Sequence, residues 1–141
     1  MTTDLISVVI PTFDRPTEML GEAIDSILAQ DVGPLEIVVV DDGSATPAAP
    51  GLASYGDRLR HHRQDNAGIG AARNAGVSES EGDLLSFLDS DDIWMPDKLA
   101  SQLALLRSDP SIDAVFGQAE QFHDDALDEE ARRRHPIKDR I

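Results

Sequence analysis

Short runs of apolar, β-branched residues alternate along the chain with stretches in which apolar residues recur every three or four positions. Three runs stand out, Leu5–Ile10, Leu35–Val40 and Asp83–Leu88. Apolar runs without polar interruption are typical of strands that are buried on both faces of a sheet. Arg58–Arg63 predicts a shorter, more exposed strand, and Ile112–Phe116 predicts a final one.

Helices are predicted between these strands. A proline at position 16 suits the first turn of a helix, because the missing N–H has no partner there. The apolar stripe that follows consists of Leu20, Ala23, Ile24, Ile27 and Leu28. Ala71–Ser78 predicts a second helix, and Pro96 opens a third with Leu99, Leu103 and Leu106 on one face. Alternating strands and helices indicate an α/β fold with three αβα layers and a mostly parallel, Rossmann-like sheet.

Composition and charge narrow the class of protein. The chain has 141 residues, no cysteine and a net charge of −15. This length suits one domain, and the acidic balance argues against nucleic acid, which requires a basic face. Neither a signal peptide nor a membrane-spanning run is predicted, so the expected location is cytoplasmic.

Acidic residues follow two of the predicted strands. Asp41 and Asp42 come after the second strand, and Asp89, Asp91 and Asp92 come after the third long one. Ligands of parallel α/β sheets bind outside the carboxyl ends of the strands, so we expect both groups to face one crevice. Carboxylate oxygens suit Mg²⁺ or Mn²⁺, which bridge to substrate phosphates and would offset the crowded negative charge.

Simpler explanations exist for these features. Asp92 or Asp97 could cap the helix that Pro96 opens. Gly68-Ile69-Gly70 precedes a predicted helix, and its backbone N–H groups could approach a phosphate, although turn geometry explains the glycines equally well. The histidines show no ligand spacing, and Trp94 fits either the core or a crevice wall.

Four segments together resemble the N-terminal motifs of family 2 inverting glycosyltransferases. They are SVVIPTFDR (Ser7–Arg15), EIVVVDDGS (Glu36–Ser44), NAGIGAARNAG (Asn66–Gly76) and FLDSDDIWMPDKL (Phe87–Leu99). They occur in the order and at the spacing of the family, and the resemblance extends from about Leu5 to Phe116. It implies a GT-A fold whose N-terminal half binds a nucleotide-diphospho-sugar, most commonly a UDP-sugar.

The resemblance also implies roles for individual residues on the base side of the nucleotide. Pro11 and Phe13 would line the base pocket, and Asp42 would hydrogen-bond the base. Arg73, in the Ala-Arg-Asn segment, would lie near the nucleotide, although an ion pair on a helix surface is an equally good explanation.

On the phosphate side, Asp89-Ser90-Asp91 matches the Asp-x-Asp motif of the family. By this resemblance Asp91 would bind the divalent metal, Mn²⁺ or Mg²⁺, on the donor diphosphate. Asp89 would lie near both the ribose and the metal, and Ser90 would lie beside the donor.

The expected domain organisation follows from the same resemblance. Residues 1–117 would form the nucleotide-sugar-binding domain, and residues 118–141 a charged helical or disordered tail. Members of the family continue into an acceptor-binding half that supplies the aspartate acting as general base. Asp124, Asp125 and Asp128 do not match that base motif, so the base and the site for a glycan, lipid or protein acceptor are expected beyond Ile141. Turnover by residues 1–141 alone is therefore in question.

Three other classes of protein share part of the pattern. A response-regulator receiver domain also has paired acids after one strand and an aspartate after a later one. However, its acid pair follows the first strand, and no Ser/Thr and Lys follow later strands here as a receiver requires. A nucleotidyltransferase would have a glycine-rich, basic segment where PTFDRPTEML stands. A catalytically inactive nucleotide-binding module remains a third alternative.

Overall fold

The computed structural model describes residues 4–123 and 129–134. Its four strands are β1 (Ile6–Thr12), β2 (Leu35–Asp41), β3 (Leu59–Arg63) and β4 (Leu84–Phe87). They form one sheet in the order β3-β2-β1-β4, and all three strand pairs are parallel. The structure therefore confirms the first four predicted strands, each with ends within two residues of the expectation.

Five α-helices occur in the described residues, together with a 3₁₀ segment at Ala53–Arg58. They are α1 (Thr17–Leu28), α2 (Ala49–Leu52), α3 (Ile69–Glu79), α4 (Lys98–Ser108) and α5 (Glu129–Arg134). The helix predicted to open at Pro96 begins two residues later, after a turn in which the Lys98 N–H donates to the Met95 carbonyl (3.1 Å). None of the helices in the described part of the chain has the length and apolar character needed to cross a bilayer.

The sheet is covered on both faces, which is why its central strands lack polar alternation. All seven residues of β1 are buried. The crossover from β1 to β2 and the one from β3 to β4 run in opposite directions across the sheet. Since such crossovers are right-handed, α1 and α3 cover opposite faces. The predicted αβα architecture is therefore confirmed.

Helix α3 sits unusually close to the sheet. Val9, Val38 and Val40 form a buried cluster with Ala72 of the helix. A Cβ added at Gly76 would come within 3.3 Å of the Val40 side chain and much closer to Val9. The small residues of this helix thus hold its N-terminal end near the carboxyl ends of β1 and β2.

The chain divides into two compact units between Ser101 and Gln102. The first contains the whole sheet. The second contains the remainder of α4, the segment up to residue 123 and α5. The predicted domain boundary after residue 117 stays a prediction.

The strand predicted at Ile112–Phe116 is wrong, because this segment is irregular in the structure. Phe116 is 91% exposed, and the Val115 carbonyl accepts a hydrogen bond from the Gln102 side chain (3.5 Å). A β-branched run becomes a strand only where a neighbouring strand pairs with it, and none does so within the described residues.

Helix α5 lies in the region predicted to be a charged helical or disordered tail. Within this helix, Arg133 Nη2 lies 3.3 Å from Glu129 Oε2. Asp124, Asp125 and Asp128 lie outside the described residues.

Candidate donor-binding site

A cleft of about 340 Å³ opens at the carboxyl ends of the strands. It lies among the loops that follow β1, β2 and β4 and the start of α3. Seven of the predicted site residues line it, namely Pro11, Phe13, Asp42, Gly68, Asp89, Ser90 and Asp91. Positions separated by up to 80 residues in the sequence thus meet in one place.

Two exposed apolar side chains line the cleft. Phe13 is 48% exposed and Ile69 is 54% exposed, although both belong to the wall of a cavity. Exposed aromatic rings in clefts provide a face on which a planar base can stack. The ring of Phe13 therefore suits a nucleobase.

Asp42 links the loop after β2 to the start of α3. Its Oδ1 accepts hydrogen bonds from the Gln64 side chain (2.7 Å) and the Ala67 N–H (2.9 Å), and its Oδ2 accepts one from the Gly68 N–H (2.9 Å). Burial raises the pKa of Asp42, but these three hydrogen bonds lower it, and the net shift is downward. A carboxylate offers about four acceptor positions, so one remains for a ligand.

Gly68 performs two tasks at this point. Its φ of +90° is a conformation that side-chain-bearing residues rarely adopt, and it directs the chain into α3. Because its N–H already donates to Asp42, this group serves the protein's own carboxylate in the structure. The role of the glycine loop at a phosphate stays a prediction.

Asp41 does not face the cleft, in contrast to our expectation for both members of the pair. It is fully buried, and it accepts hydrogen bonds from the Ser44 N–H (2.9 Å), the Ala48 N–H (3.0 Å) and Arg63 Nη1 (2.5 Å). Consecutive side chains at a strand end point to opposite sides, so only one of the two can enter the cleft. Burial raises the pKa of Asp41, but its hydrogen bonds more than offset this, and the net shift is downward.

The acidic residues after β4 are paired with arginines. Asp89 Oδ1 lies 2.7 Å from Arg73 Nη2, and Asp91 Oδ2 lies 2.9 Å from Arg15 Nη2. Arg73 does not line the cleft itself, and it contacts the site through Asp89. These two cations offset the repulsion among the crowded carboxylates.

Asp92 does not line the cleft. Its N–H donates to the Asp89 carbonyl (3.0 Å), which closes the turn after β4. Burial raises the pKa of Asp92, and the charges of Asp91 and Asp89 raise it further. Asp92 therefore belongs to the turn rather than to the ligand-facing set.

The carboxylates can contribute to a metal site without forming one alone. In the described part of the chain, no three Asp, Glu or His side chains converge on a point where a cation could bind. Mg²⁺ and Mn²⁺ commonly take one or two carboxylates and complete their shell with water and substrate phosphates. The half-exposed oxygens of Asp89 and Asp91 at the cleft fit that arrangement.

Sequence analysis missed three residues near the site, Asp14, Arg15 and Arg63, and the first of them organises the loop after β1. Asp14 has φ of +49°, its N–H donates to Ser44 Oγ (2.9 Å), and its Oδ1 accepts from the Ala45 N–H (2.7 Å). These bonds fix the backbone between Phe13 and Arg15, which both line the cleft. Arg63, which pairs with Asp41, was also missed. Arg15 lies at the end of the first quoted motif, and its place in that motif could have indicated that it belongs to the site.

Trp94 belongs to the core rather than to the cleft wall. It is 8% exposed, and its backbone N–H donates to Ser26 Oγ (3.1 Å). Lys98 Nζ lies 3.8 Å from the centre of the Trp94 ring, and burial lowers the pKa of Lys98 to about 8.

His61 and His62 lie on β3, and neither lines the cleft.

Comparison with known proteins gives the family. Residues 7–140 match the model of glycosyl transferase family 2. A protein of Rickettsia felis named "Uncharacterized glycosyltransferase" is 38% identical over 114 residues, which is 79% of this chain and 19% of that protein.

Solved structures agree with the fold. Residues 1–349 of TarS of S. aureus, determined in complex with UDP-GlcNAc, are 29% identical with a TM-score of 0.65, over 73% of this chain and 31% of that segment. The mannosyltransferase PcManGT of Pyrobaculum calidifontis, determined with GDP-Man and Mn²⁺, is 24% identical with a TM-score of 0.71, over 79% of this chain and 34% of that one. The chain thus spans between a fifth and about a third of the length of these proteins. Because the family model covers nearly all of the chain, the protein belongs to glycosyl transferase family 2.

Proposed function

We propose that the cleft binds the nucleotide-diphospho-sugar donor of a glycosyltransferase, with a divalent metal on the diphosphate. The observation behind this proposal is that one cavity contains an exposed aromatic ring, Phe13, and the carboxylates of Asp42, Asp89 and Asp91. The aromatic ring suits a nucleobase, and the carboxylates suit sugar hydroxyls and a cation.

Each group has a task that its surroundings support. Phe13 and Pro11 would hold the base between apolar surfaces, and the remaining acceptor position of Asp42 would take an N–H of the base. Because Asp42 is held by two backbone N–H groups, it stays ionised and oriented before the nucleotide enters. Ser90 is buried at the cleft wall and Asp89 is partly exposed, so both could contact the ribose or the phosphates.

Asp89 and Asp91 are the residues that would hold Mn²⁺ or Mg²⁺. When bound, such an ion offsets the negative charge on a nucleoside diphosphate leaving group. This would also solve the electrostatic problem of an anionic ligand in a chain with a net charge of −15.

The complete reaction would be transfer with inversion. An acceptor hydroxyl oxygen attacks the anomeric carbon, the bond from that carbon to the diphosphate oxygen breaks, and a general base removes the hydroxyl proton. None of the residues assigned above acts as that base. The acceptor, the cytoplasmic location and turnover by the whole protein stay predictions from the sequence.

A uridine nucleotide is the preferred donor class. TarS, at 29% identity, was determined with UDP-GlcNAc, and this supports UDP over other nucleotides for the present chain. The sugar itself is left open by the described residues.

Titration calorimetry of this chain tests the proposal. We expect UDP and UDP-glucose to bind in the presence of Mn²⁺ and to bind much more weakly in EDTA. Preferential binding of GDP would keep the donor site and change the nucleotide. Absence of binding to every nucleoside diphosphate would contradict the proposal, and nucleotide binding unaffected by EDTA would remove the metal from it.

A further inference from the structure

The ion pair between Arg15 and Asp91 occupies the carboxylate that the proposed function gives to the metal. Arg15 Nη2 lies 2.9 Å from Asp91 Oδ2, and both residues line the cleft. The side chains are 48% and 40% exposed, respectively. Ion pairs at this level of exposure are weak, because water competes for both partners. A divalent cation can therefore replace the arginine at Asp91.

Arg15 is placed there by a fixed backbone. Asp14, directly before it, adopts a φ of +49° that few residues with side chains adopt. The two hydrogen bonds between Asp14 and the Ser44–Ala45 segment keep the loop in this conformation. Strained backbone held by its surroundings is often found at functional sites. The loop thus presents the guanidinium to the cleft on a side chain that is about half exposed to water.

The other arginine of the site is placed differently. Arg73 lies on α3 and pairs with Asp89 without itself lining the cleft. Displacement of Arg73 from Asp89 would leave its guanidinium outside the cavity. Displacement of Arg15 from Asp91 would leave a guanidinium inside the cavity, where the donor phosphates would be the nearest new anions.

We propose that Arg15 is a positioning residue that exchanges partners: it holds Asp91 in the nucleotide-free protein and releases it to the divalent cation when the donor binds, then pairs with the diphosphate. The proposal rests on the proposed function of the cleft. It predicts opposite effects of Arg15 on two ligands, competition with the metal alone and assistance to the nucleotide with the metal. A purely structural residue would not produce this pair of effects.

The first test measures Mn²⁺ binding without nucleotide, from the electron paramagnetic resonance signal of free Mn²⁺. Arg15→Gln should bind Mn²⁺ about two- to fivefold more tightly than the wild type, the range expected for loss of an exposed ion pair. Arg58→Gln removes the same charge from an exposed residue that contacts Tyr55 outside the cleft, so it should leave the affinity unchanged. Equal or weaker Mn²⁺ binding by Arg15→Gln, including no binding by either protein, would overturn the proposal.

A double-mutant cycle separates the ion pair from general charge effects. In the Asp91→Asn background, Arg15→Gln should no longer change the Mn²⁺ affinity. An undiminished effect in that background would show that Arg15 acts on the metal without Asp91, contrary to the proposal.

The second test measures nucleotide binding in saturating Mn²⁺. Arg15→Gln should weaken UDP binding roughly threefold or more, since a guanidinium–phosphate contact is lost, while binding of uridine, which has no phosphate, stays the same. Equal loss for both ligands would place Arg15 at the base and contradict the exchange. If the wild-type protein bound no nucleoside diphosphate, the proposed function would fail, whereas nucleotide binding that is indifferent to Arg15 would refute this inference alone.

Discussion

Asp41 and Asp91 are the same residue type at the carboxyl ends of strands in one sheet, and the protein uses them in opposite ways. Asp41 is fully buried, and two backbone N–H groups and Arg63 hold its carboxylate. Asp91 is 40% exposed and is contacted by the flexible side chain of Arg15. The donors around a carboxylate, rather than its position in the sequence, therefore distinguish a structural acid from one that is available to a ligand.

The energetic reason is the cost of leaving partners unsatisfied. If Asp41 were lost, buried N–H groups of the loop after β2 would have no acceptor, and water could not easily replace it. If Asp91 were lost, both water and other carboxylates could reach Arg15. Stability should thus depend on Asp41, and metal-dependent binding should depend on Asp91.

The largest expected effect is the loss of stability on replacing Asp41, the buried member of this pair of aspartates. Asp41→Ala should lower the free energy of unfolding by about 2–4 kcal/mol, because the Ser44 and Ala48 N–H groups lose their acceptor. Urea denaturation followed by circular dichroism measures this. Asp57→Ala, at an exposed position, should change stability by less than about 0.5 kcal/mol. Similar stabilities for the two variants would show that Asp41 is not a structural acid.

A smaller loss is expected where α3 approaches the sheet, since the segment that leads into this helix carries two N–H groups that donate to Asp42. A Cβ at Gly76 would collide with Val9, so Gly76→Ala should cost about 1–3 kcal/mol from overpacking. Gly70 lies in the same helix, and an added Cβ there would meet no atom within 4 Å. Gly70→Ala should therefore stabilise by up to about 1 kcal/mol through helix propensity. Thermal or urea unfolding of both variants compares them directly, and a gain in stability for Gly76→Ala would contradict the close packing.

The role of Asp91 is tested by ligand binding rather than by stability. Asp91→Asn should weaken Mn²⁺-dependent UDP binding tenfold or more, about 1.4 kcal/mol, because the amide is a poor ligand for the cation. Its free energy of unfolding should change little, since the ion pair is exposed. Asp92→Asn is the matched control, because it removes one negative charge from the neighbouring residue, which does not line the cleft. It should retain the wild-type affinity for UDP in Mn²⁺ within about twofold. Unchanged affinity of Asp91→Asn in calorimetry with Mn²⁺ would exclude Asp91 from the metal site.

Sequence patterns predicted the strands more successfully than the contacts at the site. Uninterrupted apolar runs identified β1, β2 and β4. Strands covered on both faces need no polar alternation, and this explains β1 and β2. In the edge strand β4, by contrast, Leu85 and Phe87 are 46% and 44% exposed. The same logic failed at Ile112–Phe116, since a run of apolar residues does not show whether a partner strand is present.

Within the site, the quoted motifs predicted which residues would line the cleft, but not which ion pairs and hydrogen bonds they would form. Asp41 and Asp42 are adjacent, and only the backbone direction at the end of β2 decides which one enters the cleft. The pairing of Arg15 with Asp91 joins residues 76 positions apart through half-exposed side chains. No periodicity records such a contact, so it required the structure.

The smallest expected effect is on the pH dependence of stability. The pKa of Asp41 is lower in the folded protein than in the unfolded chain, so the unfolded state binds more protons as the pH falls below about 4. The stabilisation from Asp41 is therefore fully present above that pH and is lost as the pH falls through the folded pKa. Asp41→Asn cannot ionise, so its stability should fall less steeply there, by at most about 1.4 kcal/mol per pH unit. Urea unfolding of both proteins between pH 7 and pH 3 measures the difference. The curves should run parallel above pH 5.5 and converge in acid, and curves that stay parallel down to pH 3 would contradict the lowered pKa of Asp41.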